Sequence, residues 1–195
     1  MEDNLKKIDW SFRSDVTDKF RIVDGHTYRE VYEDVLTDTS CILELGTAHG
    51  GFVSFCKEQL GDQIFYVGAD IQSLGGYNNL ADRLYHGDVY SEQFLQWVRD
   101  NKYSNIFDLV IDDGPHSLQS QLWTMNHVED FLSDDGVFIC EDVMGLENAE
   151  TIKSASPFPK QTQIWDGNNH PDWIRGCRPA AHCDNICVIV DRRRG

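Results

Sequence analysis

The chain has 195 residues, of which 41% are hydrophobic and 26% charged, a composition and length that suit one globular domain with a buried core. Its formal net charge of −16 opposes the approach of polyanions and argues against nucleic acid as a substrate. No apolar run is long enough to cross a bilayer, and the polar start Met1-Glu2-Asp3-Asn4 has neither the basic nor the apolar part of a secretory signal, so the expected compartment is the cytoplasm.

In chain order, residues 1–40 read as a polar, partly helical approach segment, with Tyr28, Val31, Tyr32 and Val35 at helical spacing. Residues 41–195 read as one α/β core. Residues 41–45 form an apolar strand that runs into glycine, and 51–60 form a helix whose Phe52, Val53, Phe55, Cys56 and Leu60 mostly share a face. A second strand, 64–70, ends on Asp70. Residues 72–79, with paired glycines and paired asparagines, read as loop. A short strand at 84–86 leads into Gly87-Asp88, and a helix follows over 91–101. Strand 107–112 is followed by a long helix marked by Leu118, Leu122, Met125 and Leu132. Strand 136–140 closes on Glu141-Asp142, and two further strands are expected at 163–165 and 186–190.

Seven strands alternating with helices predict a doubly wound, mostly parallel sheet in an αβα sandwich. Such sheets bind ligands outside the carboxyl ends of their strands, which directs attention to polar residues at those ends. Cys41, Cys140 and Cys187 lie in apolar runs and read as core residues. Cys177, His182, Cys183 and Cys187 have no CxxC pairing, which argues against zinc and against a disulfide framework. The basic run Arg192-Arg193-Arg194 reads as a solvated chain end.

The first strand runs into Glu44-Leu45-Gly46-Thr47-Ala48-His49-Gly50-Gly51. Its glycines do not match the dinucleotide fingerprint GxGxxG, which disfavours NAD. Gly46 permits a tight turn against a ligand, and Gly50 and Gly51 open the next helix without side chains in the way. The pattern E/DxGxxxG resembles the first motif of class I S-adenosylmethionine (SAM)-dependent methyltransferases. The resemblance implies that Glu44, Gly46, Thr47 and Gly50 belong to the SAM site, with Glu44 helping to position the methionine part. It implies that Asp70 holds the ribose hydroxyls and that Asp88 meets the adenine.

Further on, Ile111-Asp112-Asp113-Gly114-Pro115-His116, a long helix, and Gly136-Val137-Phe138-Ile139-Cys140-Glu141-Asp142-Val143 follow one another. Carboxylates at the ends of neighbouring strands repel unless a cation or protons neutralise them, and hard oxygen ligands favour Mg²⁺ or a similar ion over zinc. These runs resemble the metal-dependent O-methyltransferases that modify macrolide sugars, the mycinamicin type. The segments Thr17-Asp18-Lys19 and His26-Thr27-Tyr28 also resemble that family's N-terminal approach. The resemblance implies Asp113, Glu141 and Asp142 as metal ligands and His116 as general base. It leaves Asp112 for the SAM amino group or the sheet end.

The implied activity is metal-assisted methylation of a hydroxyl on a sugar or other small molecule. Proline replaces the family's serine in IDDGPH, and the chain has no room for the large auxiliary domain of the macrolide enzymes. Catechol or phenol methylation, a non-catalytic SAM-binding role and an iron-using hydroxylase-like relative are alternatives. An RNA 2′-O-methyltransferase is disfavoured, because no glutamate follows Glu150 to complete a Lys-Asp-Lys-Glu tetrad. His49, Trp165, His170 and Trp173 are further polar or aromatic residues near the expected site, the last three as candidates for an acceptor pocket or a flap.

Overall fold

A computed structural model describes residues 8–10, 17, 19–20, 28–72, 76–169 and 185–194. Helix α1 (Arg29–Leu36) precedes β1 (Cys41–Leu45), α2 (Gly51–Leu60) and β2 (Phe65–Asp70). A 3₁₀ turn, Gly76–Leu80, lies where loop was expected, followed by β3 (Arg83–His86), α3 (Glu92–Asp100) and β4 (Phe107–Asp112). The chain continues with α4 (Leu118–Phe131), β5 (Leu132–Cys140), α5 (Gly145–Ser154), β6 (Thr162–Asp166) and β7 (Ile186–Asp191).

The seven strands lie in the order β3-β2-β1-β4-β5-β7-β6. β1 to β5 pair in parallel, and β7 runs antiparallel between β5 and β6. The expected fold class is the one observed. Alternate strand residues supply two cores. Leu43, Leu45, Val110 and Phe138 face α3, α4 and α5, while Ile42, Tyr66, Leu109 and Ile139 face α1 and α2. Strands buried on both faces explain the near-continuous apolar runs. Ser91 and Ser117 cap α3 and α4, accepting from the Phe94 and Ser120 amides.

Two local readings are corrected and a third is refined. β5 begins at Leu132, four residues before the expected strand, so Leu132 ends α4 and starts the sheet; the register with β4 shifts between Phe107 and Leu109. Helix α5 was not expected, because it buries only Ala149 and Ile152 and so has almost no apolar stripe. The C-terminal arginines, of which Arg193 and Arg194 are exposed as a solvated end requires, also make specific contacts. Arg192 donates to the Ser133 carbonyl at 2.8 Å and lies 4.7 Å over the Phe158 ring, and Arg193 and Arg194 both pair with Asp191.

Cys140 and Cys187 are buried and Cys41 partly so, and the four described cysteines are free. Cys177, His182 and Cys183 lie outside the described residues. No helix among the described residues is long and apolar enough to cross a membrane.

Candidate active site

The strand order reverses between β1 and β4, so the connections leaving their carboxyl ends diverge and open a crevice. A cavity of about 410 Å³ lies there, within the range of small-ligand pockets. Gly46, Asp70, Asp88, Tyr90, Asp113 and Gly114 are among its lining residues.

Gly46 adopts φ +92°, and a Cβ there would stand 2.1 Å from the Asp113 carbonyl oxygen, so only glycine lets the β1 turn pass the end of β4. Asp70 Oδ2 accepts the Ala48 amide at 2.9 Å and Oδ1 accepts the Gln72 amide at 2.7 Å. These bonds tie the glycine turn to the end of β2. Asp88 accepts the Tyr90 amide at 2.9 Å.

Not all of the expected cofactor residues face this cavity. Gly50, at φ +75°, presses on the 3₁₀ turn, where an added Cβ would lie 2.6 Å from the Asn78 amide nitrogen. Its glycine requirement is thus set by packing against this turn. Thr47 is buried beside Gly68, and its Oγ1 has no hydrogen-bond partner among the described residues. Asp112 is buried and accepts the Tyr90 hydroxyl at 2.7 Å; burial raises its pKa against the hydrogen bonds from Thr124, Tyr90 and Gly114. Glu44 faces the α1–α2 side, where it accepts the Tyr66 hydroxyl at 2.6 Å. His49 is exposed, with its carbonyl accepting the Tyr77 amide.

Beside the cavity the parallel register levels the ends of three strands. Leu45 pairs with Asp112 and Asp112 with Cys140, and the ladder continues as Asp113 donates to the Leu45 carbonyl and Glu141 to that of Asp112. Glu44, Asp113, Glu141 and Asp142 therefore crowd together. The sequence reading assigned no role to the cation that meets them. The Lys19 ammonium, 3% exposed, lies 2.5 Å from Asp113 Oδ2, bonds Glu141 Oε2, and stands 3.7 Å from Glu44 Oε1.

Two tyrosines of the α1 region complete the buried side. Tyr32 donates to Glu141 Oε1 at 2.5 Å and Tyr28 to Asp142 Oδ1 at 2.6 Å. Tyr28 also packs edge-to-face on Trp165 of β6 and donates its amide to the Lys19 carbonyl, anchoring that residue at both ends.

The charges respond accordingly. Burial disfavours the Lys19 ammonium, but Asp113, Glu141 and Glu44 outweigh it and raise its pKa well above the ordinary value. Burial likewise works against the Asp113 carboxylate, yet Lys19 and His116 hold its pKa below the usual range. Burial raises Glu44 to about 7 against the pull of Lys19 and Tyr66, and raises Glu141 well above its ordinary value, with Asp113 adding to the effect. Four carboxylates crowd around one ammonium, and burial with mutual repulsion is what shifts Glu44 and Glu141 upward.

On the open side, His116 Nε2 lies 3.2 Å from Asp113 Oδ1 and 3.6 Å from Asp142 Oδ2. Asp113, His116 and Asp142 each offer one ligand atom, and these atoms lie within 4.8 Å of one another. His116 and Asp142 hold left-handed backbone at φ 56° and 54°, an uncommon conformation for non-glycine residues that clusters at functional sites. The two carboxylates suit a divalent ion, with the imidazole beside them as the basic group. Of the expected ligands, the structure brings Asp113 and Asp142 together with His116 and turns the Glu141 carboxylate inward to Lys19 and Tyr32. His170 and Trp173 lie outside the described residues.

No protein-family model matches the chain, and no curated protein matches it. Among solved structures, it is similar to the MycE methyltransferase of the mycinamycin biosynthetic pathway, crystallised with Mg and SAH. In one crystal form the TM-score is 0.63 at 20% identity over 96% of this chain and 54% of that one; in another it is 0.56 at 23% identity over 71% and 40%. The O-methyltransferase from Bacillus cereus in complex with SAH gives a TM-score of 0.59 at 16% identity, over 85% of this chain and 79% of that one. The chain spans about half the length of MycE or less. These likenesses agree with the strand order and the αβα layering: the chain has the Rossmann-like fold of the class I methyltransferases.

Proposed function

We propose that this protein is a SAM-dependent O-methyltransferase that acts, with a divalent ion, on a hydroxyl of a small molecule, with a sugar hydroxyl as the favoured acceptor. The observation that carries this reading is the position of Asp113, which borders the Gly46 cavity and also belongs to the group formed with His116 and Asp142. A cofactor seated in that cavity would therefore adjoin a polar group suited to handling an alcohol. The MycE structures, crystallised with Mg and SAH, one of them also with mycinamycin VI, support this choice of chemistry.

The cavity fits SAM in its chemistry as well as its size. Asp70 and Asp88 supply carboxylates for ribose and adenine, Gly46 keeps the turn free of a side chain, and Ile71, Val89 and Tyr90 supply apolar surface. SAM supplies an electrophilic methyl group, and a divalent ion lowers the pKa of an alcohol that it holds.

The chain's own residues have separate tasks in this reading. Asp113 and Asp142 would hold the ion beside the acceptor oxygen, whose alignment in-line transfer requires. His116, beside both carboxylates, accepts the hydroxyl proton. The net charge of −16 continues to weigh against a nucleic-acid acceptor.

The test is a methyl-transfer assay on a panel of sugar, polyol and catechol hydroxyls, with Mg²⁺ or with EDTA, alongside calorimetry with SAH. The reading expects SAH to bind in the micromolar range and turnover to need the ion. Binding of NAD in place of SAH would overturn the cofactor, and full turnover in EDTA would overturn the metal.

A further inference from the structure

The acidic cluster has two layers, and each aspartate spans both. Asp113 directs Oδ2 at Lys19 and Oδ1 at His116; Asp142 directs Oδ1 at Tyr28 and Oδ2 at His116. The inner layer also holds Glu141, whose two oxygens are both engaged, Oε2 by the Lys19 ammonium and Oε1 by the Tyr32 hydroxyl. Exposure follows this division in part: Lys19 and Glu141 are 3% and 1% exposed and Asp113 and His116 23% and 20%, with Asp142 at 7%. A divalent ion reaching Glu141 would have to displace either the buried ammonium from Oε2 or the Tyr32 hydroxyl from Oε1. An ion at Asp113 Oδ1 and Asp142 Oδ2 displaces neither.

We propose that Lys19 is the permanent cation of the inner layer, and that it keeps Glu141 out of the metal's ligand set. Glu141 is then a positioning residue. It clamps Lys19, Lys19 holds Asp113 Oδ2, and the other oxygen of Asp113 is presented to the ion. This rests on the metal reading above for the ion alone; the pairing of Lys19 with Glu141 stands without it. It also assigns a function to Lys19, which precedes α1 in the chain.

Mn²⁺ binding, followed by electron paramagnetic resonance without SAM or acceptor, tests the proposal. Glu141→Gln keeps shape and hydrogen bonding, and should change Mn²⁺ affinity by no more than about threefold. Asp142→Asn should weaken it by about thirtyfold or more, as expected for removing a charged ligand. Equal losses in Glu141→Gln and Asp142→Asn would make Glu141 a ligand and overturn the proposal.

A second measurement, thermal unfolding in EDTA, needs no ion. Lys19→Met alone should lower the melting temperature, and combining it with Glu141→Gln should cost less than the sum of the two single losses, since Glu141 is then no longer a buried carboxylate without its cation, although Asp113 still is. Additive losses would overturn the pairing. If the wild-type protein bound no Mn²⁺, the metal reading would fall and this cycle would still decide the role of Lys19. If Lys19→Met did not fold, the comparison of Glu141→Gln with Asp142→Asn would decide it.

Discussion

The two halves of the site are built from different parts of the chain. The cavity half is made largely by backbone: a glycine turn, and amide hydrogens held by Asp70 and Asp88 at the ends of neighbouring strands. The acidic half is made by side chains that converge from distant segments, Lys19 and Tyr28 from before β1, Tyr32 from α1, and the carboxylates from β1, β4 and β5. The first half is local geometry and the second is tertiary packing. They meet where Gly46 touches the Asp113 backbone.

That meeting point is where the distinction breaks most easily. Gly46→Ala would need positive φ and would place a Cβ 2.1 Å from the Asp113 carbonyl. It should cost about 3 kcal/mol in chemical denaturation and lower both SAH affinity and turnover. An alanine variant of wild-type stability would show that the two halves are not in contact there.

His116→Ala should damage the acidic half alone, cutting turnover by about a hundredfold and altering its pH profile, with SAH affinity unchanged in calorimetry. An unchanged rate would assign the imidazole to structure.

Glu44 gives the acidic half a pH dependence. Burial holds its pKa at about 7, above the ordinary 4.5, so the folded protein keeps a proton that the unfolded chain releases. The associated stability is fully present below the ordinary value and is lost as the pH rises through about 7. Glu141 shifts in the same direction. Melting temperature in EDTA should therefore fall with rising pH across this window, and less steeply in Glu44→Gln than in wild type. Parallel slopes would contradict the assignment.

Asp70→Ala should have the smallest effect and sharpen the contrast from the other side. SAH affinity should drop about tenfold, as for loss of a charged hydrogen-bond acceptor, while turnover at saturating SAM is retained.

The same contrast explains what could be read from the sequence. Gly46, Asp70, Asp88 and Asp113 stand at the ends of apolar runs, and a parallel sheet places such ends side by side, so their convergence followed from chain order alone. Tyr28 and Tyr32 fell on the apolar face expected for a helix, but periodicity carries no information about where a hydroxyl points. Lys19 lies in a polar stretch without periodicity, and its near-complete burial depends on carboxylates up to 122 positions away.

Glu141 and Asp142 were read as a pair, yet adjacent residues at a strand end diverge. The left-handed turn at Asp142 sends one carboxylate to Lys19 and the other to His116. Gly50 shows the converse: the need for glycine was evident, but its cause is the 3₁₀ turn at Tyr77 and Asn78, which no motif announces.

The claim on which the rest depends is that an ion held at Asp113 and Asp142 lies beside a cofactor seated against Gly46. It is tested most directly by nuclear magnetic resonance of bound SAM carrying a ¹³C-labelled methyl group, with and without Mn²⁺. The account predicts that stoichiometric Mn²⁺ broadens the methyl signal severely in the wild-type protein and spares it in Asp142→Asn. A bound methyl signal that stays sharp while Mn²⁺ occupies the protein would contradict it.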